Sequence, residues 1–274
     1  MDSQTLRKVQ LTQLEIAKEI KRICDENHIS YFLEGGTLLG AVRHKGFIPW
    51  DDDFDISMTR ENYERFIKIA PNTIHNEYHI QTWDTSDYIH LPFAKVMKKG
   101  TVFMEAYANP KGNNELWVDV FPRDHYPDNT DEQKKIIRKT QFLRHILTVK
   151  CGFKPWKMPD NVVGKFLKFL QYLPFFVFSV FFSKKWVKKR WYRQLIKYND
   201  VNTKMLSLAS IFSIDKYLVP AETIEQYCEL EFEGIKFRCP KEYDVYLRSI
   251  YGDYMKLPPP EERENRHRIV KVKL

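Results

Sequence analysis

The stretch "FLEGGTLLGAVRHKGFIPWDDDFDISM", residues 32–58, decides how the chain is read. A glycine pair, Gly35 and Gly36, precedes a basic stretch of Arg43, His44 and Lys45. Four aspartates then fall within five positions: Asp51, Asp52, Asp53 and Asp55. Crowded carboxylates repel one another and raise one another's pKa, so a positive group is expected among them. "DFDISM" reads as a strand, on which side chains alternate faces. Asp53 and Asp55 then point the same way, as does Asp51 if the strand begins early enough. Carboxylates paired at a strand end suit a hard cation such as Mg²⁺ or Mn²⁺, which takes oxygen ligands and commonly meets substrate phosphates. The best third ligand is Asp119 in "WVDVF", an isolated acid among β-formers, where an unpaired charge would be costly to bury.

The glycine pair allows a turn whose backbone N–H groups come close to a phosphate. Thr37 adds a hydroxyl donor, and Arg43, His44 and Lys45 offer charge to a diphosphate. Lys95 in "FAKVMKK" reads equally as a phosphate contact or a solvated strand-end lysine. Glu34 either positions a donor group or pairs with Arg43. His125, after Asp124, reads as a surface loop histidine or a proton relay. There is no Walker loop and no GxGxxG, and "DDDFD" lacks the loop glycine and distal Glu of an EF-hand. A glycine pair, an acid–apolar–acid strand and a later strand acid together make the pattern of a nucleotidyltransferase.

Around this stretch the 274 residues are globular in composition, 43% hydrophobic and 29% charged, with a net charge of +8 that favours anionic partners. Residues 4–27 predict an amphipathic helix. "ISYFLEGG", "YHIQTWD", "FAKVMKK" and "ELWVDVFPRD" predict strands, the last closed by Pro122, and "NYERFIKIA" a helix. "IEQYCELEFEGIKFRCP" is strand-like, and "KEYDVYLRSIYG" a helix that runs into a proline-rich close. The fold class is α/β, an α+β mixed sheet, with a catalytic core over 1–155, an aromatic and basic segment over 156–200, and a C-terminal region over 201–274 completing the substrate site. Cys24, Cys151, Cys228 and Cys239 are widely spaced, form no CxxC pair and read as free thiols in a reducing cytosol. The charged N-terminus lacks a signal-peptide apolar region.

"FLQYLPFFVFSVFFS", residues 169–183, is an uncharged run shorter than a bilayer span and interrupted by Pro174. Residues 161–200 hold nine lysines and arginines against one acid, Asp200. Apolar aromatics beside such a cluster predict a segment lying flat in the interface of an anionic membrane, with Lys184, Lys185, Lys188, Lys189 and Arg190 on headgroups. The competing expectation is a buried core helix with a solvated basic flank. No recognisable nucleic-acid motif accompanies the basic stretch, and such a binder would leave the acidic cluster unexplained.

"LEGGTLLGAVRHKGFIPWDDDFDI" closely resembles the LicD family, whose members transfer phosphocholine from CDP-choline to sugars of bacterial surface polymers. The fukutin-related proteins, which transfer ribitol phosphate, share the motif. "WVDVFPRD" and "YGDYMKLPP" support the resemblance, which runs through most of residues 10–267. It implies the nucleotidyltransferase fold, a signature at Gly35 and Gly36, and metal acids at Asp53, Asp55 and Asp119, with Asp51 aligned to a further acid. Sixteen residues separate Gly36 from Asp53, more than in the wider superfamily, so Arg43 and His44 are expected as LicD-specific substrate contacts. The implied partners are CDP-choline and a lipid-linked acceptor of teichoic acid, lipopolysaccharide or capsule synthesis. CDP-ribitol or CDP-glycerol is the alternative donor, and the implied place is the cytoplasmic face of the membrane. Asp119 is the best base for the acceptor hydroxyl. A choline group would seek aromatic faces, offered by Trp50, Trp117, Tyr251 and Tyr254.

Overall fold

The segment "LWVDVFPRDHY" combines strong β-formers with Asp119 and Arg123 and lies in the middle of the sheet, buried on both faces. It forms β6, Leu116–Tyr126, nine of whose eleven residues are buried. The computed structural model describes residues 1–154, 159, 161–208, 217–264 and 267–274. The expected boundary at 155/156 lies outside the described residues. β6 pairs in parallel with β2, Asp55–Thr59, which pairs with the short β1, Phe32–Leu33. On its other edge β6 meets β4, Ala94–Lys98, and then β7, Met205–Leu208, both antiparallel. With β3, Tyr78–Gln81, on β4 and β8, Val219–Pro220, on β7, these make a seven-stranded mixed sheet.

Pro122 does not close β6 as expected from the sequence. β4 partners Leu116 to Val120 and β7 partners Arg123 to Tyr126, so Pro122 falls where that edge changes partners. A residue without an N–H costs the ladder least there.

Helix α1, Ser3–Glu26, is capped by Asp2, whose side chain accepts from the Thr5 N–H at 2.9 Å. Its apolar face, including Val9, Ile16, Ala17 and Ile20, is fully buried in the main core with Ile56, Val118 and Val120 of the sheet. The Gly35–Gly36 pair is not a free turn. It opens helix α2, Gly35–His44, directly after β1. Gly35 has φ +51, the left-handed region that a side chain enters only with strain. β2 begins at Asp55, so Asp53 precedes the strand. Helix α3, Arg60–Thr73, follows, capped by Thr59.

Helix α4, Thr130–Lys150, was not foreseen, although Asn129 caps it and Asp131 and Glu132 stand in its first turn. It leads to α5, Val162–Phe181, and α6, Lys184–Leu195. The apolar run thus belongs to a longer helix. Pro174 lies inside α5 without ending it, and at 20 residues α5 is long and apolar enough to cross a membrane by length and composition. A buried core helix is also not what forms, since Tyr172 is the one buried residue of α5. The C-terminal residues add a hairpin of β9, Tyr227–Phe232, and β10, Ile235–Pro240, then α7, Tyr243–Tyr251. β11, Ile269–Lys273, returns to pair with β5, Val102–Glu105.

A buried ionic network joins these parts. Arg123 of β6 is fully buried and donates to Glu34 Oε1 at 2.7 Å and Oε2 at 3.1 Å, to the Tyr246 hydroxyl of α7 and to the Tyr217 carbonyl. Ser57 of β2 and Tyr246 also donate to Glu34. Glu34 therefore does not pair with Arg43. Removing one partner of a buried pair strands the other charge, so Arg123→Met is expected to cost about 3–5 kcal/mol of unfolding free energy. Adding Glu34→Gln should recover part of the loss. Urea titration of the wild type, both single variants and the double variant checks this, and strictly additive losses would show that the two side chains do not interact.

Candidate active site

Parallel pairing sets Asp55 opposite Asp119, and antiparallel pairing sets Asp119 opposite Lys95. Residues in register on adjacent strands project from the same face. Asp55, Asp119 and Lys95 therefore form a row across three strands. Lys95 Nζ lies 3.0 Å from Asp119 Oδ1 and 3.7 Å from the Trp117 ring centroid. The lysine is an ion-paired member of the row and not a solvated strand end.

The acids sit where the sequence reasoning needed them to repel. Asp55 is pushed well above the ordinary carboxylate range by burial first, then by Asp53 and Asp119. Asp119 is raised by burial, against the pull of Lys95 and His267. Among the described residues no three His, Cys, Asp or Glu side chains are grouped closely enough to hold a metal ion. The donor chemistry nevertheless fits a hard divalent cation: acidic oxygens on adjoining elements, desolvated, with Lys95 ion-paired to Asp119.

The loop before β2 is fixed from three sides. Gln10 and Gln13, buried on the inner face of α1, donate to the Asp51 and Asp52 carbonyls, each at 2.9 Å. The Asp55 N–H donates to Thr37 Oγ1 at 2.9 Å, tying β2 to the first turn of α2. Asp52 is fully buried, and its Oδ1 lies 3.0 Å from His267 Nδ1. Burial alone would lower the His267 pKa, but the Asp52 hydrogen bond and the charges of Asp53 and Asp52 push it up to about 10. Sequence reasoning missed Gln10, Gln13 and His267. Two glutamines on an apolar helix face were a usable signal. Nothing local marked His267, more than 200 residues from its partner.

Asp51 turns back onto α2. A Cβ built on Gly36 would stand 2.9 Å from Asp51 Oδ2, so the bare glycine lets this carboxylate reach the helix's first turn. Helix N-termini attract anions. Gly35 meets the Tyr251 hydroxyl in the same way, at 3.5 Å.

Arg43 and His44 stand in the last turn of α2, roughly 10 Å along the axis from Gly36 at 1.5 Å per residue. Arg43 donates to the Tyr254 carbonyl at 2.9 Å. Burial lowers its pKa and that of His44. The four aromatics divide. Trp117 is buried under Lys95, and half-buried Trp50 carries Arg263 at 5.4 Å. Tyr254 is buried, with its hydroxyl on Asp244. Tyr251 stands beside Gly35. A cavity of about 50 Å³ lies beside Lys95 and Trp117, lined also by Gln81, Tyr88, Glu105 and Phe153.

Asp124 and His125 lie on β6, not in a loop. Buried Asp124 holds Arg60 of α3 at 2.6 Å, and His125 Nδ1 lies 2.9 Å from Thr203 Oγ1. Both bind elements of the fold together.

Residues 28–151 match the family described as LicD/FKTN/FKRP, nucleotidyltransferase domain. Over 271 residues, 97% of both chains, the protein is 32% identical to the lipopolysaccharide cholinephosphotransferase LicD of Haemophilus influenzae. It is 30% identical over 118 residues to the ribitol 5-phosphate transferase FKRP of Mus musculus, which covers 42% of this chain and 20% of that one. With the human FKRP it shares 42% identity over 48 residues, 18% of this chain and 10% of that one. With this fold, this carboxylate row and similarity along nearly its whole length, the chain belongs to the LicD family of phosphotransferases.

Proposed function

We propose that the protein transfers phosphocholine from CDP-choline to a hydroxyl of a lipid-linked surface-glycan precursor, of teichoic acid, lipopolysaccharide or capsule, and releases CMP. The observation that carries the reading is the Asp55–Asp119–Lys95 row in a chain that matches a cholinephosphotransferase over 97% of its length. The acceptor oxygen would attack the choline-bearing phosphorus. One phosphorus–oxygen bond forms to the sugar and the one to CMP breaks. Asp119, its proton affinity raised by burial, takes the hydroxyl proton. Asp53, Asp55 and Asp119 would have to draw together to hold Mg²⁺, which when bound would neutralise charge on the diphosphate and the departing CMP. Lys95, 3.0 Å from Asp119, would exchange that partner for a phosphate oxygen. Arg43 and His44 are proposed at the far end of α2, by Tyr254, as contacts to a more distant part of the substrates. We place the reaction on the cytoplasmic face of the membrane, with the nucleotide donor in the cytosol.

A second reading rests on the similarity to the ribitol 5-phosphate transferases, which spans 118 residues. In it the donor is CDP-ribitol or CDP-glycerol. The aromatic faces bear on the choice. Trp117 and Trp50 each already face a cation of the chain, so a trimethylammonium group would exchange for Lys95 or Arg263. Calorimetry with the three donors is expected to favour CDP-choline, by less than the roughly 0.5–2 kcal/mol of an unshared cation–π contact because a cation of the chain is displaced. Equal affinities would turn the assignment to the polyol phosphates.

Asp55→Asn and Asp119→Asn are each expected to lower the transfer rate by about 10³-fold, as loss of several kcal/mol of transition-state stabilisation does. Near-wild-type turnover by either variant at saturating Mg²⁺ would remove that residue from the site.

Stability gives a separate readout. A carboxyl raised on folding favours the folded state while protonated. That contribution is complete below the unfolded value of about 4 and is lost as pH climbs through the raised one. In chelator-treated buffer, Asp55→Asn should melt above the wild type at pH near 8 and converge with it toward pH near 4. Mg²⁺ should stabilise the wild type more than the variant. A melting difference that does not change with pH would contradict the crowding of these acids.

A further inference from the structure

Helix α5 is held to the protein by one stripe. Tyr172 is buried, and Gly164, Lys168, Phe175 and Ser179 are half-buried. Phe142 and His145 of α4 pack on Phe175 with ring centroids at 5.8 and 4.8 Å, and Lys150 Nζ donates to the Ser179 carbonyl at 2.6 Å. The remaining circumference faces outward and is apolar: Val163, Phe166, Leu167, Val180 and Phe181 are between 58% and 82% exposed. Among the outward residues only Lys165 and Gln171 are polar. So wide an exposed apolar surface marks an interaction site.

Helix α6 continues the same surface with charge. Lys184 and Lys188 turn inward, to Asp87 and to the Trp83 carbonyl. Lys185, Lys189 and Arg193, at four-residue steps, and Arg190 are exposed. Trp186, 44% exposed, stacks on Phe182 at 4.4 Å between the two regions. Residues 162–199 contain no acid. An apolar arc bordered by an exposed tryptophan and then by acid-free cations has the layered chemistry of a bilayer surface: acyl chain, interface, anionic headgroup.

We propose that α5 and the outer face of α6 seat the protein on an anionic lipid bilayer, with α5 embedded in one leaflet. Crossing is disfavoured although α5 is long enough. Its second half is pinned to α4, which exposes Lys134, Lys135, Arg138 and Lys139, and those charges would have to follow it into hydrocarbon. The flat film expected from the sequence changes too. A helix lying on a surface keeps a solvated polar face, whereas here α4 covers the stripe turned from the lipid. Two of the five basic residues assigned to headgroups, Lys184 and Lys188, are instead bound to the protein's own oxygens. The inference does not depend on which nucleotide donor is used.

The full chain is to be sedimented with vesicles of phosphatidylcholine alone and of phosphatidylcholine with phosphatidylglycerol, at low and raised salt. Tryptophan quenching by lipids brominated in the acyl chain is read in parallel. About tenfold or more binding to the anionic vesicles at low salt, falling with salt, is expected, together with quenching. The variant K185Q/K189Q/R190Q/R193Q should lose the anionic preference and keep its circular dichroism spectrum. Val180→Asp with Phe181→Asp, both at exposed positions, should lose the quenching. Failure to bind vesicles overturns the proposal, as does equal, salt-insensitive binding to both kinds. Lipid-free dimers that cross-link through Val180→Cys would assign the apolar face to a second copy and overturn it too.

Discussion

Carboxylates are costly to gather inside a protein, because burial strips each of water and each repels the next. This protein gathers them by backbone pairing. The parallel register of β2 and β6 fixes Asp55 against Asp119 whatever their side chains prefer, and the strands' apolar residues hold that register. A one-residue slip would set Asp55 beside Val118 or Val120 in place of Asp119. The supporting contacts hang on the same register. Thr37 meets the Asp55 N–H, the Asp119 N–H donates to the Phe54 carbonyl, and Gln10 and Gln13 hold the preceding loop. The Arg123–Glu34 pair lies under this arrangement and joins β6, the start of α2 and α7.

The parts legible in the sequence were those with local causes. The amphipathic period of α1, the β-formers of β6 and the strand character of the stretch that folds as β9 and β10 each came from adjacent residues, whereas the hairpin itself was not foreseen. Asp53 and Asp55 were singled out by their crowding and two-residue spacing, and Asp119 as an isolated acid among β-formers; the strand that was to align Asp53 with Asp55 begins only at Asp55. The parts not legible depend on residues far apart in the chain. Lys95 could be judged only once β4 lay beside β6, and Glu34 only once Arg123 was seen to be buried. Pro122 misled because a proline ordinarily ends a strand, and the change of partner that admits it is a property of the sheet. Pro174 misled for a related reason: one missing hydrogen bond does not end a helix whose neighbours hold it from α4.

Charge is distributed with the same economy of place. The net charge of residues 161–200, nine cations against Asp200, equals the chain's +8, so the remainder is balanced. That balance is local at the candidate site, where acids and cations interleave: Lys95 with Asp119, His267 with Asp52, Arg123 with Glu34. The helical region 162–199 keeps its excess unbalanced and presents part of it to solvent. Two surfaces of different electrostatic character thus share one chain, and the second is the one whose charge suits an anionic surface.

The first turn of α2 shows how the two chemistries of the candidate site exclude each other. The glycines that would let a phosphate approach also let Asp51 approach, and its carboxylate stands close to where a Gly36 side chain would be. A helix terminus holding a carboxylate is a poor place for a second anion until the first moves or is neutralised. Lys95 is in the complementary position, stacked on Trp117 and paired with Asp119, where it already supplies the positive charge that the acids require. A diphosphate arriving with a divalent cation would bring both charges at once. On the proposed reading, a divalent cation held by these acids would supply the positive charge that Lys95 now gives Asp119, and Lys95 would then face phosphate. Either arriving alone would leave one charge uncompensated in a buried row. Gln10 and Gln13 hold the backbone carbonyls of Asp51 and Asp52 and not their carboxylates, so they fix the loop before β2 without fixing the Asp51 carboxylate.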